Sequence, residues 1–124
     1  MAYSILCVDD EEIILTFFKR VFEQTEYTIY TADNGVDALE KVKEHHPDIV
    51  FLDIIMPTMK GDEALPLIHE IDANIAVIIV SGKITESEAR DFLAKGAFDF
   101  LQKPIDLKHL LDVVEQWRLG RELV

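Results

Sequence analysis

Five short apolar segments alternate with five helix-like segments along this chain, and that alternation limits it to few folds. Three of the apolar segments are nearly continuous and rich in β-branched residues, as in parallel strands buried on both faces. The second and fifth alternate more, which favours positions nearer the sheet edge. The predicted strands are Ser4–Val8, Tyr27–Ala32, Asp48–Leu52, Ile75–Val80 and Phe98–Leu101.

The intervening segments repeat apolar residues at helical spacing, which predicts helices with one buried face. The expected buried positions are Ile13, Ile14, Phe17, Phe18, Val21 and Phe22, then Val36, Leu39 and Val42, then Ala89, Phe92 and Leu93, then Leu107, Leu110, Leu111 and Val114. Thr85 to Glu88 has the form of a capping box. In the third helix, about 62 to 71, we expect Pro66 in or near the first turn, since an interior proline removes a hydrogen bond. Trp117, at the margin of the apolar stripe of the last helix, is either a core residue, which is the favoured interpretation, or a partner contact.

Five strand–helix units predict an α/β fold, a doubly wound five-stranded parallel sheet with helices on both faces. The 124 residues suit one domain spanning 1–124. In open sheets of this kind, binding sites lie outside the carboxyl ends of the strands. Those ends are therefore where functional residues are expected.

Composition excludes several classes of partner. Twelve Lys and Arg stand against 24 Asp and Glu, a formal charge of −12, which disfavours direct binding to nucleic acid or an anionic membrane. The single cysteine, Cys7, cannot form an internal disulfide, and no export signal is visible. The longest apolar run is too short to cross a bilayer, so we expect a cytoplasmic protein.

Carboxylates, a hydroxyl and an ammonium follow the predicted strands. Asp9 and Asp10 follow the first strand, Asp53 the third, Ser81 the fourth and Lys103 the fifth. Two carboxylates about 5 Å apart repel by roughly 3 kcal/mol at an effective dielectric constant near 20, so such a cluster protonates or binds a cation. Few hard oxygen ligands with room for water and phosphate favour Mg²⁺.

Each of these residues alone also has a simpler interpretation. Asp10 could cap the first helix, Asp53 and Ser81 could be turn residues, and Lys103 could be a surface lysine. Their joint placement at neighbouring strand ends is what those interpretations explain poorly.

Three segments resemble the receiver domains of bacterial response regulators, and the resemblance extends from the first strand to the last helix. The segments are 5–11 (ILCVDDE), 52–61 (LDIIMPTMKG) and 96–104 (GAFDFLQKP). The second is specific by itself. The family, which includes chemotaxis regulators, implies a flavodoxin-like strand order 2-1-3-4-5.

The resemblance implies a role for each matching residue. Asp53 would accept the phosphoryl group. Asp9, Asp10, Asp53 and the carbonyl of Ile55 would hold Mg²⁺, with Asp9 acting mainly through a metal-bound water. Lys103 and Ser81 would bind phosphoryl oxygens.

The resemblance also implies partners. The donor would be a sensor histidine kinase or a phosphotransfer protein. Ser81 and the aromatic residue Phe100 would switch the face formed by the fourth helix, fifth strand and fifth helix. That face would contact a downstream protein, a tethered output domain or a second copy in a homodimer.

Two positions depart from the common pattern. Phe100 replaces a frequent tyrosine, so only a packing change remains for signalling. Ile55 offers no group to orient water, which predicts slow autodephosphorylation.

Other classes fit the sequence less well. A haloacid-dehalogenase-type phosphatase needs a second aspartate where Ile55 stands. A flavin or dinucleotide module would need a glycine-rich phosphate loop, which the sequence lacks. A degenerate receiver that binds partners without phosphorylation is disfavoured by the intact set of site residues. A stand-alone regulator and the amino-terminal part of a longer protein both remain open.

Overall fold

The computed structural model describes residues 2–56 and 59–123, and Pro57 and Thr58 of the recognised motif lie outside this part. Its elements alternate strictly along the chain. The strands are β1 Ser4–Val8, β2 Thr28–Ala32, β3 Ile49–Asp53, β4 Ala76–Ser81 and β5 Asp99–Gln102. The helices are α1 Glu12–Phe22, α2 Gly35–His45, α3 Gly61–Ile71, α4 Glu86–Ala94 and α5 Leu107–Glu122.

All strand pairings in the described sheet are parallel, in the order β2-β1-β3-β4-β5. The predicted α/β class, the strand order and the placement of β2 and β5 at the edges are therefore confirmed. Strands β3, β4 and β5 each end one residue later than predicted, so Asp53 and Ser81 are the last residues of their strands.

Two apolar layers cover the sheet, one on each face. On one face Ile5 and Cys7 pack with side chains of α1 and α5, and on the other Leu6 and Val8 pack with α2, α3 and α4. Because alternate strand residues enter opposite layers, the central strands are apolar at nearly every position. Trp117 is buried in the first layer, with its ring edge-on to Tyr3 at 4.8 Å, so its predicted core position is confirmed.

Several predicted helix positions are wrong. The apolar side chains that face solvent instead are Ile13, Val36, Leu93, Leu107 and Leu111. Leu15 in α1 and Val113 in α5 are buried, although neither was predicted. A helix lying on a sheet buries only a stripe of its surface, and apolar residues bordering that stripe satisfy the same sequence periodicity.

Helix starts follow local chemistry. The capping box predicted at Thr85 is present, with bonds in both directions between Thr85 and Glu88. Pro66, expected in or near the first turn of α3, lies in its second turn. It removes the N–H that would bond the Asp62 carbonyl, but both residues are exposed, so water is available to that oxygen. Among the described residues, no helix is long and apolar enough to span a membrane.

Candidate functional site

The sheet register places four strand ends side by side. Val8 is opposite Leu52, so Asp9 emerges next to Asp53. Asp53 is in turn opposite Val80, and Ser81 is opposite Gln102, the residue before Lys103. The predicted site residues lie together here because each comes from the carboxyl end of a parallel strand.

The acidic cluster consists of Asp9, Asp10 and Asp53. One carboxylate oxygen from each lies within 4.8 Å of the others. Asp9 and Asp53 are only 1% and 5% exposed, whereas Asp10 is exposed. Backbone amides stabilise the buried pair, since the amide of Glu11 donates to Asp9 at 2.9 Å and that of Ile55 donates to Asp53 at 3.1 Å.

Lys103 supplies the positive charge. Its Nζ lies 2.8 Å from Asp9 Oδ2, 3.2 Å from Glu11 Oε1 and 3.5 Å from Asp53 Oδ2. Its side chain is 16% exposed, so the ammonium is largely desolvated. One ammonium group therefore forms ion pairs with three carboxylates, in a protein of strongly negative net charge.

The electrostatics of the site shift two pKa values. Burial raises the pKa of Asp53 above its ordinary value, and the charge of Asp9 adds to this, against the amide of Ile55 and the Lys103 ammonium. For Lys103, burial acts to lower the pKa, but the hydrogen bond to Asp9 and the charges of Asp53 and Asp9 outweigh it and raise the pKa. The lysine is therefore charged. The buried Asp53 carboxylate needs a nearby positive charge to stabilise its ionised form.

The remaining predicted residues lie around this centre. Ser81 is buried, and its hydroxyl donates to the Lys83 carbonyl at 2.9 Å. Phe100 is half-buried against the apolar layer beneath α2, α3 and α4. Ile55, two residues after Asp53, is 69% exposed.

The contact between Glu11 and Lys103 was not predicted. In the sequence, Glu11 was only the last residue of the segment 5–11, although a third consecutive acidic residue after the first strand was a visible signal. Its partner could not be identified without the sheet register, because Glu11 and Lys103 are 92 residues apart.

Comparison with known sequences identifies similarity to one protein family. The model described as the response regulator receiver domain matches residues 5–115. The chemotaxis protein CheY of Bacillus subtilis is 37% identical over 117 residues, which cover 94% of this chain and 98% of that protein. The CheY of Halobacterium salinarum is 32% identical over 114 residues, covering 92% and 95%.

Comparison with solved structures agrees. The crystal structure of a CheX–CheY–BeF3–Mg²⁺ complex from Borrelia burgdorferi contains a chain with a TM-score of 0.87 and 37% identity. The match covers 92% of this chain and 87% of that one. The sequence and structural similarities thus extend over nearly the whole described chain.

Proposed function

Since the chain belongs to the response regulator receiver domain family, whose members are phosphorylation switches in two-component signal transduction, we propose that it accepts a phosphoryl group on Asp53. One observation carries this assignment: the nearly buried Asp53 carboxylate ends a central strand beside the carboxylates of Asp9 and Asp10 and 3.5 Å from the Lys103 ammonium. A carboxylate so placed can act as a nucleophile while the Lys103 ammonium binds the incoming anion.

Receiver domains bind Mg²⁺ at an acidic site, and the donors present here fit that ion. We assign Asp9, Asp10, Asp53 and the carbonyl of Ile55 to it, with Asp9 acting mainly through water. Clustered carboxylate oxygens, one of them exposed, suit a small hard cation that keeps several waters. Bound there, Mg²⁺ would neutralise charge on the phosphoryl oxygens.

The proposed donor is a phosphohistidine on a sensor histidine kinase or a phosphotransfer protein. An Asp53 oxygen attacks phosphorus in line, so an O–P bond forms while the P–N bond breaks. The electron pair of the broken bond stays on the imidazole nitrogen, which takes a proton from solvent. Lys103 binds a phosphoryl oxygen, and the reaction depends mainly on positioning and charge neutralisation.

The output is a change in the face formed by α4, β5 and α5. Ser81 would turn its hydroxyl toward the phosphoryl group, and Phe100 would move into the space released. Receiver domains interact with kinases and output domains. We propose that this face contacts a downstream protein, a tethered output domain or a second copy, and that residues 1–124 act in the cytoplasm as one domain that does not bind nucleic acid directly.

Incubation with acetyl phosphate, with and without Mg²⁺, tests the assignment. Intact mass should show one phosphoryl adduct that requires Mg²⁺ and is absent in Asp53→Asn. Asp33→Asn is the matched control, because Asp33 follows the edge strand β2 and is exposed. It should keep the adduct. An adduct that persists in Asp53→Asn, or no adduct on the unaltered protein, would overturn the proposal.

A further inference from the structure

Three carboxylates share the Lys103 ammonium, and they are not equivalent. A lysine has three N–H donors, and here they face Asp9, Glu11 and Asp53. The ammonium is closer to Asp9 and Glu11, both at the end of β1, than to Asp53 on β3. The lysine is therefore held toward the β1 side of the site.

Glu11 differs from the other two carboxylates in its surroundings. Its side chain is 57% exposed, and it is not part of the acidic cluster of Asp9, Asp10 and Asp53. A cation held by this cluster would neutralise part of the charge of Asp9 and Asp53, so both would attract Lys103 less. Glu11 then remains as the carboxylate that still holds the lysine.

We propose that Glu11 is a positioning residue that holds Lys103 toward the end of β1 and so competes with the incoming phosphoryl group for the ammonium. This inference rests on the proposed function of Asp53 and Lys103. A phosphoryl group on Asp53 needs the ammonium at its own oxygens, on the β3 side of the site, whereas the contact with Glu11 at 3.2 Å holds the ammonium toward the β1 side. Glu11 thereby restrains phosphorylation and favours the return of Lys103 after dephosphorylation.

Two variants separate contact from charge. Glu11→Gln removes the negative charge, and Glu11→Asp keeps the charge but removes a methylene group from the side chain, which should lengthen the 3.2 Å contact with Lys103. Glu12→Gln is the matched control. Glu12 is the exposed next residue, and it is not among the described carboxylates that contact Lys103, which are Asp9, Glu11 and Asp53. It changes the net charge by the same amount.

The measurements are the rate of phosphorylation by acetyl phosphate and the affinity for beryllofluoride with Mg²⁺, the latter by calorimetry. Both Glu11 variants should raise each by about two- to fivefold, the range of a partly exposed ion pair, while Glu12→Gln stays near the unaltered protein. Without metal, the Lys103 ¹⁵Nζ resonance should shift in both Glu11 variants and not in Glu12→Gln.

Each contrary result has a distinct meaning. Glu11→Asp behaving like the unaltered protein, or Glu12→Gln behaving like Glu11→Gln, would overturn the proposal, because charge alone would then explain the effect. Slower phosphorylation in Glu11→Gln would overturn it as well. If the unaltered protein acquires no adduct, the proposed function fails, and the metal-free Lys103 resonance still decides whether Glu11 holds the lysine.

Discussion

The Ser81 hydroxyl donates a hydrogen bond to the Lys83 carbonyl at 2.9 Å and accepts one from the Lys83 amide at 3.3 Å. These two bonds fold the start of the β4–α4 loop onto the strand end. A hydroxyl has one proton, so it cannot donate to Lys83 and to a phosphoryl oxygen at the same time. If Ser81 binds a phosphoryl group through its proton, the bond to the Lys83 carbonyl at the start of this loop must break.

Replacing Ser81 by alanine should separate phosphorylation of Asp53 from the structural response at Phe100. Ser81→Ala keeps Asp53 and Lys103 and should still acquire the phosphoryl adduct by mass. It should cost about 1 kcal/mol of unfolding free energy, since two hydrogen bonds to the loop are lost. The shift of the Phe100 amide resonance on adding beryllofluoride and Mg²⁺ should become much smaller.

Ser81→Thr is the control for that experiment because it retains the hydroxyl. It should keep the Phe100 response. A full Phe100 response in Ser81→Ala would show that the hydroxyl does not couple the site to β5.

The sheet was predictable because its pattern is set by two strong local signals. Buried parallel strands are short continuous apolar runs, and the helices between them have one apolar face. The site followed from topology, since parallel strands end at one edge and Asp9, Asp53, Ser81 and Lys103 each come at or just after such an end.

The remaining differences depend on packing that a linear pattern does not contain. Leu93 was predicted to be buried beside Phe92, but only Phe92 is, because the rotation of α4 on the sheet selects one of two adjacent apolar residues. The Glu11–Lys103 pair depends on the distance between β1 and β5 across β3 and β4. Neither quantity has a local sequence signal.

Gly61 lies against the backbone of Ile54, the residue that follows Asp53. A Cβ at Gly61 would lie 2.7 Å from Ile54 Cα, and the Gly61 amide donates to the Ile54 carbonyl at 3.0 Å. Gly61→Ala must therefore displace backbone next to Asp53 and Ile55. We expect a loss of about 1–3 kcal/mol in unfolding free energy and weaker Mg²⁺ binding, measured by urea unfolding and by calorimetry.

Gly82→Ala is the matched substitution, since an added Cβ there meets no atom within 4 Å. Neither glycine has a positive φ angle, so backbone strain does not distinguish them. Gly82→Ala should leave stability unchanged or raise it by up to about 1 kcal/mol. Equal losses in the two variants would contradict the steric explanation.

Ile55 should control how long the phosphorylated state lasts. Its side chain is exposed next to Asp53 and has no polar atom to orient an attacking water. Ile55→Asn should shorten the lifetime of the phosphoryl adduct several-fold, measured by loss of the adduct mass after donor removal. Ile55→Leu, which stays apolar, should decay at the original rate. An unchanged lifetime in Ile55→Asn would remove Ile55 from this role.

The raised pKa of Asp53 makes a prediction about stability and pH in the absence of metal. Burial, and next the charge of Asp9, act to keep the proton on Asp53 in the folded protein, against an ordinary pKa of 3.8. The stability associated with its protonated form is complete below that value and is lost as pH rises through the raised native pKa. Asp53→Asn cannot ionise, so its stability relative to the unaltered protein should increase over that interval and then level off.

Urea unfolding in a chelator, from about pH 4 to pH 7, measures this difference, and subtracting the two proteins cancels the carboxyl groups that are remote from Asp53. Mg²⁺ should make the unaltered protein the more stable of the two. Binding to the native state adds about 2.7 kcal/mol at a hundred times the dissociation constant, and Asp53→Asn would lack one of the proposed ligands. A relative stability that falls with pH would mean that Lys103 outweighs burial at Asp53.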